Sequence, residues 1–137
     1  MSNQEYIHQA EHRISVVINT YNASQHLAEV LETVKDFDEV VICDMESTDN
    51  TLDIARKYGC KIVIFPRGNY QICEPARQTA IDAASCKWVL VVDADELVTP
   101  ELKQYLYSLI GEGGCSTGFV CSTQESLYGK IHALFLS

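Results

Sequence analysis

Four short apolar runs, rich in β-branched residues and separated by stretches of helical period, constrain the fold of this chain more than any other feature. They are Ile14-Ser15-Val16-Val17-Ile18, Glu39-Val40-Val41-Ile42-Cys43, Lys61-Ile62-Val63-Ile64-Phe65 and Trp88-Val89-Leu90-Val91-Val92. Each has the length and composition of a strand, and the last is apolar enough to be buried on both faces. Between the first two, Leu27, Val30, Leu31 and Val34 recur at helical spacing, which predicts a helix from about Ala23 to Lys35. A second helix carries Leu52, Ile54, Ala55 and Tyr58, with Thr48 or Asp49 as its N-cap and Gly59 suited to its C′ position. A third starts at Pro75 and a fourth runs from about Thr99 to Ile110. The alternation predicts an α/β, three-layer, Rossmann-like architecture: a mainly parallel sheet with helices on both faces and right-handed crossovers. After Gly111 the pattern weakens. Residues 112–137 are expected to be an irregular segment of one domain spanning 1–137, with a strand over Thr117 to Thr123 and a short strand or helix over Leu127 to Leu136.

Composition narrows the partners. The chain is 47% hydrophobic, enough for a core at 137 residues. Nineteen acidic residues against ten basic ones give a net charge of −9. That balance argues against nucleic acid, which is bound through clustered Lys and Arg. A nucleotide remains compatible, because a metal and one or two cationic side chains can neutralise it. No run is long enough for a transmembrane segment, and Met1 to Arg13 lacks the apolar core of a secretory signal. The six cysteines are scattered, with no CxxC, which predicts reduced thiols, no zinc site and a cytoplasmic protein.

Chemistry concentrates at the ends of the runs. Asp93-Ala94-Asp95 directly follows the fourth, so two carboxylates at i and i+2 emerge on one side of a strand end. Such a pair repels unless a cation sits with it, and hard oxygen ligands suit Mg²⁺ or Mn²⁺. An acidic loop capping the helix near Thr99 is the plainer alternative. Thr20-Tyr21-Asn22 and Asp44-Met45-Glu46-Ser47-Thr48-Asp49 end two other strands on what should be the same sheet edge. Asn22 can be a turn residue, Ser47 to Asp49 helix caps and Tyr21 a packing residue; Asp44 has no evident capping role.

Ile14-Ser15-Val16-Val17-Ile18-Asn19-Thr20-Tyr21-Asn22, Val40 through Thr51, and Trp88 through Glu96 together resemble the ordered signatures of family 2 glycosyltransferases of the GT-A fold. The resemblance is greatest to bacterial lipopolysaccharide-core glucosyltransferases and covers about residues 13 to 110. It implies an inverting, metal-dependent transferase that takes a nucleotide-diphosphate sugar, with UDP-glucose the expected donor, and passes the sugar to a glycan or lipid-linked acceptor. It further implies that Thr20, Tyr21 and Asn22 line the nucleoside pocket and that Asp44 accepts a hydrogen bond from the base. Asp93 would reach the ribose or the metal, Asp95 the metal itself, and Arg77 the diphosphate. A location at the inner face of the bacterial membrane goes with such an acceptor.

The chain departs from the family pattern at Asn19, where proline is frequent, and at Met45-Glu46, where a smaller pair is usual. Family members continue well past the DxD with an acceptor site and a general base. After Glu96 only Glu101, Glu112 and Glu125 remain, none in an acidic pair, so no catalytic base is assigned and a truncated C-terminal part is expected. An uncovered sheet edge then predicts a homo-oligomer, with Leu127 to Leu136 at the contact. Other readings of the architecture fit less well. A nucleotidyltransferase wants a Gly-rich, basic loop after the first strand; a haloacid-dehalogenase phosphatase and a response-regulator receiver want acids at the first strand. A non-catalytic nucleotide-binding module remains as the alternative to an enzyme.

Overall fold

The computed structural model describes residues 13–66 and 74–111, together with the backbone of four short strands beyond them. The elements in chain order are β1 (Ile14–Thr20), α1 (Leu27–Val34), β2 (Glu39–Asp44), α2 (Thr51–Lys57), β3 (Lys61–Ile64), α3 (Glu74–Ala83), β4 (Trp88–Asp93) and α4 (Pro100–Gly111). Then come β5 (Phe119–Val120), β6 (Glu125–Ser126), β7 (Gly129–Lys130) and β8 (Leu134–Leu136). One sheet has the order β3-β2-β1-β4-β8-β5, and β6 pairs with β7 in a separate antiparallel ribbon. β3, β2, β1 and β4 are mutually parallel, while β8 runs antiparallel to both β4 and β5. This is the expected α/β, GT-A-like, mainly parallel sheet.

The layers follow from strand alternation. Ile14, Val16, Ile18, Ile42, Leu90 and Val92 face α1, α2 and α4, where Leu27, Val30, Leu31, Val34, Ala55, Leu102, Leu106 and Ile110 complete one core. Val17, Val41, Cys43, Val89 and Val91 face the other way, against Ala76 and Ala80 of α3. β1 is the hub: Ile14, Val16, Val17 and Ile18 are all 0% exposed. Truncating such a residue, as in Ile18→Ala, costs about 2–5 kcal/mol. Helices therefore cover both faces, and the loops that carry chemistry are left at one sheet edge.

Local signals place the helix ends. Gly59 adopts φ +72 immediately after the α2 C-cap, as the αL position demands, and its N–H donates to Arg56 O at 3.0 Å. Thr99 caps α4, its Oγ1 accepting from Leu102 N at 3.1 Å. α1 begins at Leu27 rather than Ala23, because a turn closed by Leu27 N donating to Ala23 O (3.1 Å) precedes it.

Beyond α4, Leu134–Leu136 is a strand within the strand or helix expected over Leu127 to Leu136, and it pairs on both sides, with β4 and with β5. β5 falls within the strand expected over Thr117 to Thr123. Cys43, Cys60 and Cys86 are free thiols, and burial pushes Cys43 and Cys60 up to about 11. Among the described residues, no helix is long and apolar enough to cross a membrane.

Candidate functional site

The sheet order reverses at β1: β2 and β3 lie on one side of it, and the chain crosses to place β4 on the other. In open α/β sheets such a reversal opens a crevice beyond the carboxyl ends of the two central strands, and ligands bind there. The three polar strand ends expected to converge do so. Thr20 is in register with Asp44, and Asn19 with both Cys43 and Asp93.

On the β1–β2 side the polar groups are tied to one another. Asp44 is 0% exposed, and its Oδ1 accepts from Thr20 Oγ1 and Ser47 Oγ, each at 2.6 Å. Its Oδ2 accepts from Ser47 N at 2.8 Å. Three donors satisfy a buried carboxylate that would otherwise carry a heavy desolvation penalty. One acceptor direction on Oδ2 is left over. Ser47 Oγ in turn accepts from Asn22 N at 2.8 Å, and Asn22 Oδ1 accepts from Thr48 N at 2.8 Å, so the β1–α1 and β2–α2 loops are stitched together.

Further out, Asp49 Oδ1 accepts from Thr51 Oγ1 and from Thr51 N (3.0 Å), while Oδ2 accepts from Ser24 N at 3.2 Å. The Thr51 hydroxyl bond leads in holding the Asp49 carboxyl down at about 2. Thr51 Oγ1, itself buried, accepts from Ala23 N at 2.9 Å. Two non-glycine residues sit in the left-handed region here, Asn22 at φ +49 and Glu46 at φ +63. Asn tolerates it, whereas Glu pays roughly 1–2 kcal/mol.

The β4 side is built differently. Asp93 and Asp95 are exposed and Glu96 is half-buried, and the three carboxylates offer ligand atoms that all lie within 4.8 Å of one another. A tight turn gathers them: Glu96 N donates to Asp93 O at 3.1 Å, which brings i+3 back beside i and i+2. This is the one such grouping among the described residues, and three hard oxygen donors fit Mg²⁺ or Mn²⁺. At the seam between the two sides, Nδ2 of Asn19 is buried with no hydrogen-bond partner among the described residues.

Tyr21, 39% exposed, directly follows Thr20 at the carboxyl end of β1. Arg77 belongs to α3, on the far face from α1, but its side chain lies outside the described residues. Two clefts among the described residues lie away from these strand ends. One, of about 380 Å³, is lined by Lys35, Asp38, Tyr58 and Lys61; the other, of about 440 Å³, by Asp36, Val98, Lys103 and Tyr107.

Sequence reading missed Glu96, Ser47 and the amide of Asn19. Period-two reasoning stops at a strand end, so it pairs Asp93 with Asp95 and overlooks the residue that the turn returns. Ser47, Thr48 and Asp49 were legible as capping residues; Ser47 instead folds back on Asp44, and the register of β1 against β2 brings Asn22 to it.

The model of the family described as Glycosyl transferase family 2 matches residues 15–133. An uncharacterized glycosyltransferase of Rickettsia conorii is 38% identical over 102 residues, covering 70% of this chain and 34% of that protein. Poly(ribitol-phosphate) beta-N-acetylglucosaminyltransferase TarS of Staphylococcus aureus is 30% identical over 115 residues, 73% of this chain and 19% of its own length. Among solved structures, the mannosyltransferase of Pyrobaculum calidifontis in complex with GDP-Man and Mn²⁺ superposes with a TM-score of 0.67 at 20% identity, covering 90% of this chain and 44% of that one. Glucosyl-3-phosphoglycerate synthase of Mycobacterium tuberculosis with Mn²⁺, UDP and glucosyl-3-phosphoglycerate gives 0.68 at 18% identity, covering 95% and 58%. At those identities the structural matches speak for the fold. The chain spans about a third of the length of the Rickettsia relative.

Proposed function

Starting from a chain that belongs to glycosyl transferase family 2, we propose that it binds a nucleotide-diphosphate sugar across the β1–β4 crevice, as the donor half of an inverting glycosyl transfer. The observation that carries this reading is the Asp93, Asp95 and Glu96 grouping beside the braced Thr20–Asp44 pair at the topological switch point. Asp93, Asp95 and Glu96 would hold a Mg²⁺ or Mn²⁺, which supplies positive charge for the diphosphate as it departs. The chain's own residues do the rest. Thr20 and Asp44, locked to each other, form a rigid floor for the nucleoside, with Tyr21 and Asn22 at its rim. Arg77 offers a bidentate partner for phosphate oxygens.

The finer reading takes UDP-glucose as donor and a lipopolysaccharide-core or other lipid-linked glycan as acceptor, at the cytoplasmic face of a membrane. It rests on the resemblance of the three strand-end motifs. The Mn²⁺ complexes of the mannosyltransferase and the phosphoglycerate synthase support a divalent metal and a nucleotide diphosphate, GDP in one and UDP in the other. A module that binds the donor without transferring the sugar is the second reading. Self-association belongs to this proposal too.

Nucleotide choice is tested by calorimetry with UDP, GDP and pyrophosphate in Mn²⁺. UDP should bind tighter than pyrophosphate, and Asp44→Asn should narrow that gap. Equal affinity for all three would remove the nucleoside from the account. A radiolabelled UDP-glucose assay with lipid-linked acceptors separates the two readings: turnover at the roughly 1 s⁻¹ or more usual for enzymes supports the transferase, and donor binding without turnover supports the donor-binding half.

A further inference from the structure

Buried donors without acceptors are uncommon in folded proteins, since each costs about 1–3 kcal/mol, and Nδ2 of Asn19 is one among the described residues. Its position gives it an address. Asn19 is the next-to-last residue of the central strand, and its Cα partner on β4 is Asp93. Neighbouring strands lie about 4.8 Å apart. Alternation puts both side chains on the same face: Val17 precedes Asn19 by two, Val91 precedes Asp93 by two, and both valines pack on the α3 side of the sheet. The unspent amide donor therefore flanks an exposed carboxylate belonging to the three-acid grouping. Carboxylates that ligate a cation are typically held by a hydrogen bond to their other oxygen, which fixes their orientation.

We propose that Asn19 is the positioning residue of the cation site: when a divalent ion is held by Asp93, Asp95 and Glu96, the Asn19 amide donates to the Asp93 oxygen that the ion does not take. The proposal rests on the metal reading above. It also accounts for an amide at the β1 position in register with Asp93, where an apolar side chain would leave the protein without a buried donor to satisfy.

The test is Mn²⁺ binding followed by electron paramagnetic resonance on the full chain without nucleotide, in the unaltered protein, Asn19→Ala, Asn19→Leu and Asp95→Ala. Both Asn19 variants should bind Mn²⁺ about tenfold more weakly or worse, the range typical of partners behind a metal ligand. Their metal-free melting temperature should stay level or rise in Asn19→Leu, because a donor with no acceptor has been removed. Unchanged Mn²⁺ affinity in both variants overturns the proposal. So does a lowered metal-free melting temperature in both, which makes Asn19 a prop of the strand. If the unaltered chain takes no Mn²⁺, the metal reading itself fails; if it does and Asp95→Ala alone loses it, the Asn19 assignment fails alone.

Discussion

The two halves of the crevice solve the same problem, keeping polar groups at a sheet edge, in opposite ways. On the β1–β2 side Asp44 and Asp49 both have protein donors: Asp44 takes Thr20 and Ser47, and Asp49 takes Thr51 and Ser24. On the β4 side Asp93, Asp95 and Glu96 crowd within 4.8 Å of one another, with a buried amide beside them that has no acceptor. The first half is complete as it stands. The second gathers like charges that repel, and a cation would relieve it. Hydrogen bonding in one half thus contributes to folding, while the other half holds binding energy in reserve for a ligand.

Substitutions should separate the halves. The largest effect is expected from Asp44→Ala, which leaves the buried Thr20 hydroxyl and both Ser47 donors without their acceptor. A loss of about 3 kcal/mol follows from the worth of bonds to a buried charged group, and chemical denaturation would measure it. A near-neutral result would mean that the β1–β2 half is no brace.

Asp95→Ala should do the reverse. Metal-free stability should hold or rise slightly as repulsion falls, while affinity for UDP in Mn²⁺ drops at least about tenfold, or roughly 1.4 kcal/mol. Parallel melting and titration experiments check the pair, and loss of stability without loss of affinity would erase the contrast. A smaller gain, up to about 1 kcal/mol, is expected from Glu46→Gly, which relieves the left-handed strain at φ +63. Thermal melting reads it, and a lowered melting temperature would show that the Glu46 side chain matters more to the loop than its strain.

The smallest effect concerns Asp49, a surface carboxylate. Its carboxyl is held below the ordinary 3.8, at about 2, so the stability it adds is present above 3.8 and lost as pH falls through about 2. The gap in denaturant midpoint between the unaltered chain and Asp49→Asn should therefore close across that window. A gap that stays constant would place the effect outside the charge.

How much of this was legible beforehand differs between the halves for a physical reason. β1, β2 and β4 announced themselves because buried parallel strands are continuous apolar runs, β3 through its β-branched residues although it is only partly covered, and α1 and α4 because their apolar faces repeat with helical period. Gly59 marked the end of α2, since only a residue at ease with φ > 0 suits that site. The acids at 93 and 95 were visible as a pair, but Glu96 joins through a turn that has no period. Ser47 and Asn22 looked like local caps and turns; their bond to each other spans 25 residues and is set by register. Asn19 differed from the frequent proline, yet only burial exposes its unspent donor. The β6–β7 ribbon and the placement of β8 between β4 and β5 depend on pairings between strands of two or three residues, too short to carry a pattern.

The central claim is that the β4 half is completed by a cation carrying a nucleotide diphosphate, on a floor that the β1–β2 half already provides. Calorimetric titration of UDP into the unaltered 137-residue chain, with Mn²⁺ and again with EDTA, tests it most directly. The account predicts binding in Mn²⁺ that weakens at least about tenfold in EDTA. Equal affinity under both conditions, or no binding under either, would contradict it.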